Sequence, residues 1–180
     1  MPVNLAARAP AAKSGCAGGN NPVDPVLGTD TQTPEKIIYT ARASATGGRD
    51  GHAASDDGVL DLDLTAPKET GGAGTGTNPE QLFAVGYAAC FQGALGLIGK
   101  SQGVDTSDSV VEAAVGFGPE GDSFAITVDL TARIPGVDAD TAQRLVEGAH
   151  EVCPYSKATR GNVPVTVTGV SACCHRHTVF

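Results

Sequence analysis

The sequence has no cluster of lysine or arginine residues along its 180 positions. Acidic side chains outnumber basic ones by 20 to 12, and the formal net charge is −8 at pH 7. A surface of this charge repels a phosphate backbone and lacks the basic patch that nucleic-acid-binding proteins use. We therefore expect no nucleic acid partner.

The sequence also offers little that points to a membrane or to export. We expect no apolar run near the roughly 18 residues that would span a bilayer. The first residues carry Arg8 and Lys13 and lack the continuous apolar stretch of a secretion signal. These absences predict a soluble, cytoplasmic protein with no membrane partner.

The chain lacks a paired set of cysteines. An odd number without an export signal argues against a disulfide framework and favours thiol chemistry or metal ligation. The pair of greatest interest, Cys90 and Cys153, lies 63 residues apart, which excludes a short C-x-x-C spacing for these two. The five cysteines are Cys16, Cys90, Cys153, Cys173 and Cys174.

Composition divides the chain into three segments. Residues 1–33 contain almost no large apolar side chain, so we predict a flexible extension that cannot offset the entropy of ordering. Residues 34–172 form the predicted domain, with order beginning near Lys36. Residues 173–180 form a short tail with cysteine and histidine.

The domain begins with strand patterns and continues into a helix. KIIYTARASA and GVLDLDLTA surround the turn GGRDG and predict an antiparallel meander. Asn78 as N-cap, Pro79 at the first position and Gln81 at the third predict a helix start. Its body, Leu82 to Ile98, is apolar on nearly every side and is therefore predicted to be buried.

Further strands and helices follow this first helix. SVVEAAVGFG and SFAITVDLTARI predict two strands, residues 138–152 have helical spacing, and Pro154 breaks that helix and starts a short one. NVPVTVTGV predicts the last strand. This order indicates an α+β domain.

Physical context alone leaves the role of the two central cysteines open. Cys153 precedes Pro154, and the free amide groups of a helix start favour a thiolate. Cys90 lies in an apolar segment, where inert packing is the commoner role of a free cysteine.

A resemblance carries more information. NPEQLFAVGYAACFQGAL and AHEVCPYSKATRGNVPVTVT, with the upstream TGGRDG, closely resemble the organic hydroperoxide resistance (Ohr) branch of the OsmC-like thiol peroxidases. The similarity runs from about Ile37 to Val170. It implies the OsmC-like α+β fold, with antiparallel sheets and a buried central helix, in an intertwined homodimer whose active sites draw on both chains.

The resemblance also implies a mechanism. Cys90 would be the peroxidatic thiol and Cys153 the resolving thiol, with Arg49 and Glu80 completing the catalytic site. Organic or lipid hydroperoxides would be reduced to alcohols, and a Cys90–Cys153 disulfide would be recycled by dihydrolipoyl groups of lipoylated proteins, with no metal or other cofactor. The side chains available to line an apolar substrate pocket are Leu82, Phe83, Tyr87, Phe91 and Tyr155.

Geometry raises one difficulty for this assignment. In an unbroken helix, the ten residues from Glu80 to Cys90 span about 15 Å, too far for one guanidinium to contact both. Either the helix starts after Glu80 or the chain folds back around Arg49. Without the resemblance, Glu80 would be interpreted as a carboxylate that complements the helix dipole, and Arg49 as a solvated loop charge. His150 would be interpreted as a surface or core histidine and not as a general base.

Other functions remain open at this point. An OsmC-type peroxidase would use a broader range of peroxides, and a redox sensor would oxidise the same thiols once without turnover. Thiolate and imidazole ligands would also suit a soft metal in a storage or structural protein, although adjacent cysteines are not the usual zinc spacing. That last reading depends on the tail residues Cys173, Cys174, His175 and His177.

Overall fold

A computed structural model of the protein describes residues 32–172. The predictions for most of the N-terminal extension, for Cys16 and for the tail from Cys173 lie outside this range. The chain divides into two units, residues 1–40 and 41–180. In the described part of the first unit, Ile38 and Tyr39 are exposed and belong to no strand. The first strand begins at Ala43, seven residues after Lys36, where the pattern predicted that order begins.

The first sheet is a three-stranded antiparallel meander. Its strands are β1 (Ala43–Thr46), β2 (His52–Ser55) and β3 (Asp61–Asp63), paired in that order. None of the residues in these strands is buried. The predicted meander is present, but both faces of this sheet are at least partly open to solvent within the single chain.

The central helix α1 spans Pro79–Gln102. Its start has the predicted chemistry, because the Asn78 side chain accepts a hydrogen bond of 2.9 Å from the backbone N–H of Gln81. Gly103 ends it with a φ of 70°, the left-handed conformation that glycine adopts most easily. The helix therefore includes Glu80 and continues unbroken past Cys90.

The second sheet is mixed and has two helices in its crossover. Strands β4 (Val110–Glu120) and β5 (Ser123–Pro135) form a long antiparallel hairpin, and β6 (Val165–Ala172) lies parallel to β5. A parallel pair needs a long connection. Here that connection contains α2 (Ala139–Val152) and α3 (Pro154–Thr159), which meet at Cys153.

The core lies between α1, α2 and the second sheet. One face of α1 is fully buried there, including Tyr87, Phe91 and Leu95. The opposite face forms a stripe of exposed apolar or small side chains, which we call the α1 stripe: Leu82, Val85, Ala89, Gly93, Gly96 and Leu97.

The length of α1 corrects one expectation. This helix is long and apolar enough, by length and composition, to cross a membrane, so the prediction that no apolar segment reaches that length was wrong. The core helix of a soluble protein meets the same criterion. The burial of Tyr87, Phe91 and Leu95 against the protein itself identifies α1 as a core helix of this domain.

Candidate active site

The two central cysteines lie next to each other. The Sγ atom of Cys153 is 3.6 Å from the Sγ atom of Cys90, and both cysteines are free thiols. Cys153 is fully buried and Cys90 is partly buried. A disulfide requires sulfurs about 2.05 Å apart. An approach of about 1.5 Å would therefore join these two residues.

Each sulfur is placed by a different part of the fold. Cys90 lies three residues after Tyr87 on the core-facing side of α1. Cys153 ends α2 and precedes Pro154, whose missing N–H is tolerated at the first position of α3. The sharp change of direction between α2 and α3 brings a residue 63 positions away against the middle of α1.

Burial favours the neutral form of the Cys90 thiol. Desolvation raises its pKa, the neighbouring Cys153 sulfur raises it further, and the backbone N–H of Tyr155 lowers it by donating to the sulfur. The amide of the α3 start thus lies at Cys90. Of the residues that the structure describes, no cation is among the groups that shift the pKa of Cys90.

Arg49 lies at a second location, beside the N-terminal end of α1. Its two terminal nitrogens donate to the two carboxylate oxygens of Glu80 at 2.8 and 2.6 Å. This two-bond geometry is the strong form of the arginine–carboxylate pair. Hydrogen bonding to Arg49 holds the pKa of Glu80 below its ordinary value, and the same bond raises the pKa of Arg49.

The turn before Arg49 depends on its glycines. Gly47 and Gly48 have φ values of 71° and 63°, which side-chain-bearing residues rarely adopt. Across the turn, a Cβ atom on Gly51 would lie only 1.9 Å from the carbonyl oxygen of Thr46. The GGRDG motif is therefore a tight turn that projects Arg49 towards α1.

An aromatic ring supports Arg49 from the side. Its guanidinium carbon lies 4.5 Å from the ring centroid of Phe117 on β4, a favourable cation–π distance. Phe117 stacks on Phe124 of β5 with centroids 4.9 Å apart. The sequence prediction missed both residues. Alternation along β4 marks Phe117 as a residue that shares a face with Val115, but nothing in the sequence links it to an arginine 68 positions away.

A cavity of about 480 Å³ lies beside this arginine–glutamate pair. The first turns of α1, including Glu80 and Ala84, form one wall, and Val115 and Phe117 of β4 form another. Cys90 does not line it. The Arg49–Glu80 pair and the Cys90–Cys153 pair thus lie at different positions along α1.

The structure has neither of the two arrangements that the sequence left open for bringing Arg49 to both Glu80 and Cys90 of one chain. The helix does not start after Glu80, since it begins at Pro79. Ten residues of continuous helix place Cys90 about 15 Å along the axis from Glu80. Arg49 is therefore held away from Cys90 of its own chain.

The five predicted pocket residues occupy three environments. Phe83, Tyr87 and Tyr155 form an aromatic cluster in which the ring centroids are 5.6 to 6.1 Å apart. Gly86 makes room for it, because a Cβ there would meet the Tyr155 hydroxyl at 3.3 Å. Phe91 belongs to the closed core, and Leu82 lies in the exposed α1 stripe.

His150 and Ser156 form a further polar cluster near Cys153. The Nδ1 atom of His150 lies 2.9 Å from the Ser156 hydroxyl, which also accepts from the Tyr87 hydroxyl at 2.9 Å. Burial lowers the pKa of His150, with a further lowering from Arg160, so the imidazole favours its neutral form. The sequence prediction missed Ser156.

Comparison with known proteins identifies the fold and then the family. Residues 71–168 match the OsmC-like protein family, which fits this α+β arrangement of two sheets and a long central helix. The chain belongs to the OsmC family and, within it, to the organic hydroperoxide resistance branch.

Two curated relatives and one solved structure illustrate the similarity. The organic hydroperoxide resistance protein of Xanthomonas axonopodis pv. citri is 51% identical over 138 residues, covering 76% of this chain and 97% of the relative. OhrB of Bacillus subtilis is 52% identical over 130 residues, covering 71% and 95%. The crystal structure of an organic hydroperoxide resistance protein from Elizabethkingia anophelis, with thiocyanate bound, has a TM-score of 0.71 at 50% identity, covering 76% and 99%.

Proposed function

We propose that the protein is a thiol peroxidase that reduces organic hydroperoxides to alcohols. The observation that carries this proposal is the contact between two free thiols, with Sγ atoms 3.6 Å apart, at the junction of three helices. Membership of the organic hydroperoxide resistance branch supports it independently. Cys90 is the peroxidatic residue and Cys153 the resolving residue.

In the first step, the Cys90 thiolate attacks the terminal oxygen of ROOH. The O–O bond breaks, the sulfur becomes a sulfenic acid, and RO⁻ leaves and takes a proton to become the alcohol. The step needs an ionised sulfur and a positive group near the departing oxygen. Arg49, which is permanently charged, provides both functions in this proposal.

A second copy of the chain supplies that arginine. Glu80 holds Arg49 about 15 Å along α1 from Cys90 of the same chain, whereas burial raises the pKa of Cys90 and no cation of the described residues lowers it. The exposed α1 stripe and the side chains of the first sheet, none of which is buried, provide surface for a homodimer. Antiparallel packing of two α1 helices would bring each Arg49–Glu80 pair towards the opposite Cys90.

Cys153 then captures the sulfenic acid. Its sulfur attacks Cys90, the S–O bond breaks, and water leaves as the S–S bond forms. A dithiol must reopen this disulfide by exchange. We assign that role to dihydrolipoyl groups of a lipoylated protein, so the cycle requires no bound metal or other cofactor.

The preference for organic peroxides follows from apolar surface near Cys90. Phe83 and Tyr155 are partly exposed and belong to the aromatic cluster beside the sulfur. Such surface favours an alkyl or acyl group over the small polar molecule H₂O₂. The backbone N–H of Tyr155 also lowers the pKa of the Cys90 thiol, which supports a position for this residue near the sulfur.

The test combines turnover with mapping of the cysteines. With dihydrolipoamide as reductant, the protein should consume tert-butyl hydroperoxide continuously and faster than H₂O₂. Without reductant, one equivalent of peroxide should give a Cys90–Cys153 disulfide in a peptide map. In Cys153→Ser, Cys90 should stop at sulfenic acid with one equivalent and proceed to sulfinic acid with excess peroxide, and Cys90→Ser should consume no peroxide.

Three results would each contradict part of the proposal. A protein that oxidises once and does not turn over with a dithiol would be a redox sensor. A disulfide map that joins neither Cys90 nor Cys153 would remove the assigned chemistry. Equal rates with H₂O₂ and organic hydroperoxide would favour the broader OsmC-type activity.

A further inference from the structure

A fully buried hydroxyl cluster lies beside the two thiols, and the peroxidase chemistry does not account for it. Ser156 has no exposed surface, and its hydroxyl contacts side chains from two other helices. The Tyr87 hydroxyl on α1 donates to it at 2.9 Å, and the Nδ1 atom of His150 on α2 lies 2.9 Å away. Ser156 itself belongs to α3, so one oxygen joins all three helices.

The hydrogen bonds of this cluster have a consistent direction. The Tyr87 hydroxyl donates to Ser156, which leaves the Ser156 proton free to be donated to Nδ1 of His150. A neutral imidazole can accept at Nδ1, and burial favours that form of His150. Thr159, 3.2 Å from the Tyr87 hydroxyl, completes the network. A satisfied buried network of this kind fixes a single arrangement of the elements it joins.

The helices that Ser156 joins are those that carry the reacting sulfurs. Tyr87 precedes Cys90 by one helical turn on α1, and His150 precedes Cys153 by one turn on α2. Ser156 follows Cys153 by three residues, and the backbone N–H of Lys157 donates to the Cys153 carbonyl at 3.0 Å. The distance between the two sulfurs therefore depends on the contacts of Ser156.

We propose that Ser156 is a positioning residue for the resolving step, since its hydroxyl holds α1, α2 and α3 so that the Cys153 sulfur reaches the Cys90 sulfenic acid. This inference rests on the proposed peroxidase function. In that step the Cys153 sulfur attacks Cys90, the S–O bond breaks, and hydroxide leaves with the Cys153 proton as water. Ser156 touches neither sulfur in this role and acts through the placement of Cys153.

The consequence is a competition between two fates of the sulfenic acid. Capture by Cys153 gives the disulfide, whereas a second peroxide gives sulfinic acid, which this cycle does not reverse. Misplacing a reacting group by about 1 Å can cost about 100-fold in rate. Loss of the Ser156 hydroxyl should therefore slow capture and leave the first oxidation of Cys90 unchanged.

The experiment measures the sulfinic fraction of Cys90 by intact mass after treatment with excess tert-butyl hydroperoxide, alongside the stopped-flow rate of the first oxidation. Ser156→Ala should raise the sulfinic fraction about tenfold with the first rate unchanged. Ser156→Thr, which keeps a hydroxyl, should restore the wild-type fraction. Ser109→Ala is the matched control, because this serine is also buried and hydrogen bonded, to Gln92 at 2.9 Å.

A second pair of variants keeps the test decisive if Ser156→Ala does not fold. His150→Leu removes one contact of the hydroxyl at a partly exposed position, whereas His150→Asn offers an amide in the place of Nδ1. The leucine variant should raise the sulfinic fraction and the asparagine variant should not. The role of Ser156 is overturned if Ser156→Ala and Ser156→Thr give equal sulfinic fractions and His150→Leu and His150→Asn do so too. A wild-type protein that consumes no peroxide would instead overturn the proposed function itself.

Discussion

The middle of α1 and its N-terminal end differ in almost every physical respect. At the middle, Cys90 and Cys153 form a largely dry, uncharged pair in which burial raises the pKa of Cys90. At the N-terminal end, Arg49 and Glu80 form a charged pair, 41% and 15% exposed, beside a cavity. Within the residues that the structure describes, the first region has thiols with no cation acting on Cys90, and the second has a cation with no thiol. A single chain thus holds the two pairs about 15 Å apart along α1.

Removal of the Arg49 guanidinium should have the largest effect on the rate of peroxide reduction. Arg49→Met should lower the rate of Cys90 oxidation by organic hydroperoxide about 100- to 1000-fold, because a preorganised charge at the departing oxygen is lost. The pH profile of the remaining reaction should shift upwards, since burial raises the Cys90 pKa and no cation then offsets it. Stopped-flow rates between pH 5 and pH 9 measure both effects.

The matched control for this arginine is Arg133→Met. Arg133 also pairs with a glutamate, Glu112, at 3.1 Å and is 43% exposed, but both residues of this pair lie on the second sheet. Its rate and pH profile should equal those of the wild type. Equal losses in both arginine variants would show that Arg49 acts only through general stability or charge.

In the proposed homodimer, the α1 stripe should control whether the Arg49–Glu80 pair of one copy meets Cys90 of the other. Val85 is 70% exposed in the single chain, so Val85→Glu should leave the fold intact and place a charge in the proposed interface. We expect a shift from dimer to monomer in sedimentation velocity, together with loss of peroxide turnover. Gln102→Glu, at the end of the same helix and outside the stripe, should leave both unchanged, and an active Val85→Glu monomer would contradict the shared site.

Removing the charge of Glu80 should have a smaller effect, a loss of fold stability that is confined to a defined pH range. Arg49 lowers the folded-state pKa of Glu80, so the pair stabilises the fold fully above the ordinary glutamate pKa of about 4.3. This contribution is lost as the pH falls through the lower folded-state pKa. The difference in urea midpoint between wild type and Glu80→Gln should therefore be constant from pH 7 to pH 5 and vanish in stronger acid.

Glu112→Gln provides the corresponding control for pH. Its carboxylate pairs with Arg133 through one bond at the surface, where ion pairs contribute little. The midpoint of this variant should stay close to that of the wild type over the whole range. A Glu80→Gln difference that grows in acid would contradict the assigned pair.

The start of α1 should give the smallest effect. Asn78→Ala removes the side-chain bond to the Gln81 N–H and should cost about 1 kcal/mol in the free energy of unfolding. Asn78→Asp keeps an acceptor at this position and should recover most of that loss. Urea denaturation measures both, and an unchanged Asn78→Ala variant would show that Pro79 and packing alone set the helix start.

Local chemistry made much of this fold predictable. Asn78 and Pro79 fix the start of α1, Pro154 separates α2 from α3, and the glycines around Arg49 fix a turn. Each of these signals lies within a few residues of the feature that it predicts. The predicted α+β class and the family are confirmed, and the pairing of β5 with β6 is parallel because α2 and α3 form the crossover.

Contacts between distant residues were not predictable in the same way. The ring of Phe117 under Arg49 and the Ser156 hydroxyl between three helices depend on how the elements pack, which no local pattern encodes. The apolar circumference of α1 predicted burial, and one face is buried in the chain while the α1 stripe is exposed. Sequence pattern does not distinguish a face that meets the core from one that is exposed in the single chain. The roles of Arg49 and Glu80 remain predictions.

Complementation of two inactive variants tests the shared site most directly. Cys90→Ser and Arg49→Met, carrying different tags, are co-expressed, and dimers with both tags are purified. If Arg49 of one copy serves Cys90 of the other, one site in each mixed dimer is intact, and organic hydroperoxide turnover should return to about half the wild-type rate per dimer, since one of two sites is whole. Mixed dimers as inactive as either parent would contradict the account.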